Sequence, residues 1–140
     1  MQYWLLKSES NVWSWDDQLK AGKNGAEWDG VRNYQASNNL KKMKKGDLAF
    51  FYHSQDERTV VGVVKIVKEY FPDPSDPKKR FGMVKVAALR KVPFPVKLAE
   101  IKADKRLSHL ALVRQSRLSV MPIDSKSWNL ICKMGKISNR

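Results

Sequence analysis

Residues 47–71, "DLAFFYHSQDERTVVGVVKIVKEYF", decide how the chain is read. Two runs rich in β-branched and aromatic residues flank the polar tetrad at 55–58, which predicts two strands joined by a hairpin. Strand alternation puts Phe51 and His53 on one side and Phe50 and Tyr52 on the other. One pair is expected in the core and the other along a cavity.

Upstream, "QYWLLKSE" (2–9) reads as an opening strand. "SWDDQLKAG" (14–22) reads as a short helix, with Ser14 and Asp17 in an N-cap arrangement and Gly22 as the stop. Asn-Gly and Asp-Gly pairs mark residues 24–30 as loop. Ala36, Leu40 and Met43 recur at helical spacing, predicting a helix from Asn33 or Tyr34 to Met43 that Gly46 closes. Downstream, "PDPSDPKK" (72–79) holds three prolines in eight residues and is expected as an exposed loop. "FGMVKVAALRKV" (81–92) returns to strand, and "VKLAEIKAD" (96–104) is a short amphipathic helix after Pro93 and Pro95. "SHLALVRQS" (108–116) reads as helix, "RLSVMPI" (117–123) as a last strand, and residues 125–134 as a closing helix capped by Asp124 or Ser125. Consecutive strands on short turns imply an α+β fold around a mainly antiparallel, strongly curved sheet, not the alternating order of a Rossmann domain. A chain of 140 residues without internal repeat or linker is expected to form one domain over 1–140.

The formal net charge is +13, and it is one-sided: residues 1–60 hold nine Lys/Arg against eight Asp/Glu, residues 61–140 eighteen against six. Such a distribution points to a polyanion, nucleic acid first, with an anionic membrane or an acidic protein behind it. A solvated basic surface is the bland alternative. The opening "MQYWLLKSES" has no basic leader or cleavage pattern, and no apolar run approaches the ~20 residues that cross a bilayer. The expectation is a cytoplasmic protein, nuclear in a eukaryote, with no membrane partner. The lone Cys132 excludes an internal disulfide and a cysteine-rich zinc site, and reads as a small core residue. His53 and His109 lack metal-ligand spacing, and the chain has neither a nucleophile elbow nor a phosphate-cradling glycine motif. No metal, cofactor or catalytic residue is expected.

Trp28 stands beside the Asp29–Gly30 turn and outside any apolar-periodic segment, so it is either a lid on the core or a face left for stacking. Asn33 is either the cap of the following helix or a reader of a base edge, and Arg32 either a solvated charge or a phosphate contact.

Four segments, "YWLLKSE", "WDGVRNYQA…NNL…MKKGD", "FYHS" and "RLSVMP", resemble in order and spacing the motifs of the EVE domain family, over nearly the whole chain. The resemblance implies a PUA-like fold, a curved β pseudobarrel flanked by short helices, and kinship with YTH domains, which bind N6-methyladenine in RNA. It implies a nucleic-acid-binding module, for DNA or RNA, that takes a flipped, methylated base into an aromatic-walled pocket. Carried over by motif, the wall is Trp28 with Tyr52 or His53, next to Ser54. Lys7 and Ser8 form the floor, Arg32 and Asn33 the edge, and Arg117, Leu118, Ser119 and Val120 the other side, with Asp29 also in the pocket and Arg32 and Arg117 on phosphate. Ser10 stands where the family usually has proline, and Ser37 where it commonly has arginine. The hairpin "QDER" offers no match for a second YTH tryptophan. Two rival readings are an enzyme acting on modified nucleotides, with His53 and Asp29 or Glu9 as acid and base, and a protein-interaction module using the basic face.

Overall fold

The computed structural model describes residues 1–137. Along the chain run β1 (Tyr3–Ser8), α1 (Trp15–Lys20), β2 (Ala26–Trp28), α2 (Tyr34–Lys42), β3 (Leu48–His53), β4 (Thr59–Pro72) and β5 (Gly82–Lys97). Then come α3 (Leu98–Ala103), a 3-10 turn (Lys105–Leu107), α4 (Ala111–Arg114), β6 (Val120–Ile123) and α5 (Ser125–Met134). The strands form one mixed sheet in the order β2-β5-β4-β3-β1-β6. Only β1 and β3 pair in parallel among the described residues, and the sheet stays open, with β2 and β6 as its edges.

The expected hairpin is β3–β4, and β4 turns again into β5. The β4–β5 ladder slips register after Val60, Val63, Ile66 and Lys68, and each slip bends and twists the pair, which curls the sheet. The slip between Val60 and Gly62 also explains why β5 runs past its prolines instead of ending at Val92. Val96 pairs with Val60 and Lys91 with Gly62, so Pro93 and Pro95 fall in the unpaired bulge and cost no ladder hydrogen bond.

Both faces of the sheet are covered. On one, Trp128 of α5 stacks on Phe50 with ring centres 3.8 Å apart and on Tyr3 at 4.5 Å. On the other, Phe51 receives Trp15 edge-on at 5.4 Å and Trp28 at 5.5 Å. Adjacent residues thus serve opposite halves of the core, and the division of β3 into a core pair and a cavity pair is corrected: Phe50, Phe51, Tyr52 and His53 are all buried. Gly62 is what lets Trp15 come this close to the sheet, since a Cβ there would stand 2.3 Å from the indole.

Helix ends follow local chemistry. Ser14 and Asp17 form a reciprocal capping box on α1, Asn33 caps α2 through Ala36 N–H (2.9 Å), and Asp124 caps α5. Asn39 ties α2 to β6 by donating to the Val120 carbonyl at 2.7 Å. The proline-rich segment at 72–79 is not simply exposed. Asp73 and Asp76 are buried in it, and Asp76 accepts the backbone N–H groups of Lys78, Arg80 and Phe81. Residues 24–30, expected as loop, contain β2, paired with β5 through Trp28 and Val84.

Candidate nucleic-acid interface

A cavity of about 830 Å³ opens where β1 ends beside β2. Lys7 and Ser8 come from β1, Glu9, Val12 and Trp13 from the following loop, Glu27 and Trp28 from β2, and Lys85 from β5. Gly25, Ala26, Asp29 and Gly30 complete the wall. Trp28 is 8% exposed, and its ring stands edge-on to Phe51, so it serves as core lid and as cavity wall at once. Trp13 is the second indole. Its Nε1 donates to Gln18 Oε1 at 2.9 Å, and fully buried Gln18 donates through Nε2 to the Val86 carbonyl at 3.0 Å. Ser8 Oγ donates to the Trp13 carbonyl. One buried amide thus fixes the ring of Trp13 to β5 while the hydroxyl of Ser8 fixes its backbone.

The turn after Trp28 is held from outside the cavity. Asp73 Oδ2 accepts Gly30 N–H at 2.9 Å and Arg32 Nη1 at 3.2 Å; Oδ1 accepts the N–H and Oγ of Ser75 at 2.8 and 2.6 Å. Burial pushes the Asp73 carboxyl up, but these four hydrogen bonds outweigh it and hold it at about 2. Arg32 also donates to the Ser75 hydroxyl at 2.9 Å. It acts as a latch between two loops and does not line this cavity.

A second depression, about 570 Å³, adjoins the first and shares Lys7 and Glu9 with it. Tyr52, Ser54, Arg58, Lys102, Arg117 and Ser119 line it. Lys7 Nζ donates to the Ser116 carbonyl at 2.9 Å, and partial burial lowers its pKa from the usual lysine value. Burial also raises the Tyr52 hydroxyl, against the opposing charge of Arg58. A third, of about 330 Å³, shares Ser116 and Arg117 with the second and adds Asn33, Gln35, Arg114 and Leu118.

The residues singled out from sequence are therefore distributed. Lys7, Ser8, Trp28 and Asp29 meet in the first cavity; Tyr52, Ser54, Arg117 and Ser119 line the second, Asn33 and Leu118 the third. Trp28 and Tyr52 occupy neighbouring cavities and share none. Val120 is wholly buried beside Leu6 in the sheet. His53 lines none of the three: its Nε2 accepts Trp15 N–H at 3.0 Å, and Nδ1 lies 2.8 Å from Glu57 Oε2. Asp29 and Glu9 reach the first cavity, but the histidine that an acid–base pair with them would need is locked inside. A Ser127–His109–Asp124 cluster also exists, yet hydroxyl and carboxylate both approach the same His109 nitrogen, Nε2, at 3.2 and 2.7 Å. A relay needs the two ring nitrogens separately. No group of three potential metal ligands gathers among the described residues.

Trp13 escaped the sequence reading. The signal was the one that exposed Trp28: a tryptophan in a polar segment, "ESNVWSW", outside any apolar period. Glu27, Lys85, Arg58 and Lys102 carried no such signal, because pairing and folding alone bring them to the cavities.

The EVE domain family model matches residues 2–134. The chain belongs to the EVE domain family. A solved Agrobacterium tumefaciens protein is 41% identical, with a TM-score of 0.97 over 100% of this chain and 97% of that one. Mouse thymocyte nuclear protein 1 is 36% identical over 94% of this chain and 73% of its own length. Human THYN1 protein, solved in complex with 5-methylcytosine-containing DNA, is 32% identical, with a TM-score of 0.89 over 97% of this chain and 98% of that one. The YTH domain of a Zygosaccharomyces rouxii protein shares the fold, with a TM-score of 0.58 at 19% identity over 97% of this chain and 87% of that one. This EVE chain thus has the curved, PUA-like α+β fold that its motifs imply. None of its described helices is long and apolar enough to cross a membrane.

Proposed function

We propose that this chain is a single-domain nucleic-acid-binding module that takes one unstacked, modified base into the cavity lined by Trp13 and Trp28. The observation that carries the reading is that two anchored indoles line one cavity together with hydrogen-bonding groups of both kinds, Lys7 as donor and Asp29 as acceptor. That mixture suits a base edge with an exocyclic amine beside a carbonyl or ring nitrogen. The complex of human THYN1 protein with 5-methylcytosine-containing DNA supports the ligand class.

Extracting a base costs a few kcal/mol, and stacking on an aromatic side chain returns roughly 1–3 kcal/mol per base. The remainder comes from sequence-independent contacts of the basic surface with phosphate. Burying one methyl group adds about 0.8 kcal/mol, close to fourfold in affinity. The expected preference for a methylated over an unmodified base is therefore modest.

The test is a titration of short DNA and RNA oligonucleotides, unmodified or carrying one modified base, against wild type, Trp13→Ala and Trp28→Ala. Each variant is expected to lose roughly 1–3 kcal/mol toward the preferred ligand. Equal affinity of all three proteins for every ligand removes the indoles from the site.

A further inference from the structure

We infer that the second depression, centred on Arg58, Lys102 and Arg117, is a seat for the phosphodiester next to the base held in the first. The inference rests on the base-cavity reading for its geometry. Arg32 and Arg106 are each engaged by an aspartate, Asp73 and Asp104. Lys102 and Arg117 are exposed, and neither meets a carboxylate among the described residues. The one carboxylate in the depression, Glu9, accepts Gln55 Nε2 at 3.1 Å. The hydroxyls of Ser54 and Ser119 stand in the same wall. Four cations, Lys7, Arg58, Lys102 and Arg117, against one carboxylate and beside hydroxyl donors, make a surface for a singly charged, oxygen-rich group.

The backbone supports the same reading. The tip of the β3–β4 hairpin holds two non-glycine residues at positive φ, Gln55 at 65° and Arg58 at 47°, and both line the depression. Leu98 N–H holds the tip by donating to the Arg58 carbonyl at 2.8 Å, and Arg58 Nε donates to the Gln55 carbonyl at 3.1 Å. Strained residues of this kind persist where the surrounding structure fixes them, and they cluster at ligand sites. Lys7 belongs to both cavities, so a base in one and a phosphate in the other would share a single side chain. Ser116 and Arg117 continue the track toward Arg114 in the third.

The experiment uses the full chain and a labelled single-stranded DNA carrying one 5-methylcytosine. Its flanking phosphates are replaced one at a time by neutral methylphosphonate. Proteins are wild type, the triple variant Arg58→Gln/Lys102→Gln/Arg117→Gln, and Trp28→Ala. On a single strand the logarithmic salt slope is expected to drop by about 0.7 for each phosphate that is no longer neutralised, hence by about 0.7 for the triple variant, whose three side chains share one phosphodiester. One methylphosphonate position next to the modified base weakens wild type severalfold and leaves the triple variant unchanged. An unaltered salt slope, or equal effects of methylphosphonate at every position, overturns the inference. Should the triple variant not fold, Lys102→Glu, exposed and on α3 rather than in the strained tip itself, is read in the same way. Failure of the base reading looks different: Trp28→Ala then keeps the preference for 5-methylcytosine, whatever the salt slopes do.

Discussion

Replacing Asp73 by Asn isolates what a single negative charge does for the site. The side chain is 1% exposed, and both of its oxygens are occupied. Asn keeps the shape and one acceptor, but its amide nitrogen must face either Gly30 N–H and Arg32 or Ser75 N–H, so at least one of these donors loses its acceptor. The carboxyl lies at about 2 in the folded chain, against an ordinary 3.8. At 1.36 kcal/mol per pKa unit this difference amounts to about 2 kcal/mol. A buried donor left without its acceptor costs about 1–3 kcal/mol, the same order. The sign follows from linkage. The folded pKa is depressed, so the stabilisation is complete above about pH 4 and disappears as pH falls through about 2. Urea unfolding of wild type and Asp73→Asn is therefore expected to differ by about 2 kcal/mol at pH 7 and to converge near pH 2, while both proteins lose stability from their other carboxylates. A difference that persists unchanged at pH 2, or none at pH 7, refutes the assignment of charge as the cause. Gly30 and Arg32 flank the cavity wall, so the variant should also bind oligonucleotides more weakly at pH 7.

Gly25 has φ 79°, and a Cβ there would stand 2.4 Å from the Val86 carbonyl oxygen; Gly25→Ala is expected to push β2 from β5 and lower both thermal stability and base affinity. Gln18→Leu removes the acceptor of the Trp13 indole, and a changed Trp13 fluorescence with weaker base binding, at about 1 kcal/mol of lost stability, is the expected outcome. Trp128→Ala empties the opposite half of the core, so it should cost about 3–5 kcal/mol in unfolding while the ligand affinity of the remaining folded protein is unchanged.

Much of this architecture was legible because it is encoded locally. The Ser14–Asp17 box, the Asn33 cap and the 125–134 helix depend on residues three or four apart, and the structure has all three. The β3–β4 hairpin is equally local. β2 was not legible: its three residues pair with Val84, Lys85 and Val86, far along the chain, and nothing in "AEW" announces them. The extension of β5 through Pro93 and Pro95 depends on a bulge in its partner, which no single-strand pattern carries. Among the candidate residues, those placed by motif are spread over three cavities, with His53 and Val120 in none, and the separation of Trp28 from Tyr52 follows from the burial of β3 on both faces. Asn33 does serve as the cap, and its amide still lies along the third depression. Arg32, read as a charge awaiting phosphate, found an internal partner in a loop whose prolines concealed two organising aspartates.

The wall that bears Trp28 belongs to the shortest strand of the sheet, at its outer edge, with one neighbour only. Opening it requires three residue pairs to part, not the separation of two long strands. Amide hydrogens of β2 should therefore exchange by local opening, at a free energy well below that of global unfolding, while those of β3 wait for the whole sheet. A bulky guest can then enter through the breathing of a hem, and the fabric behind it stays intact.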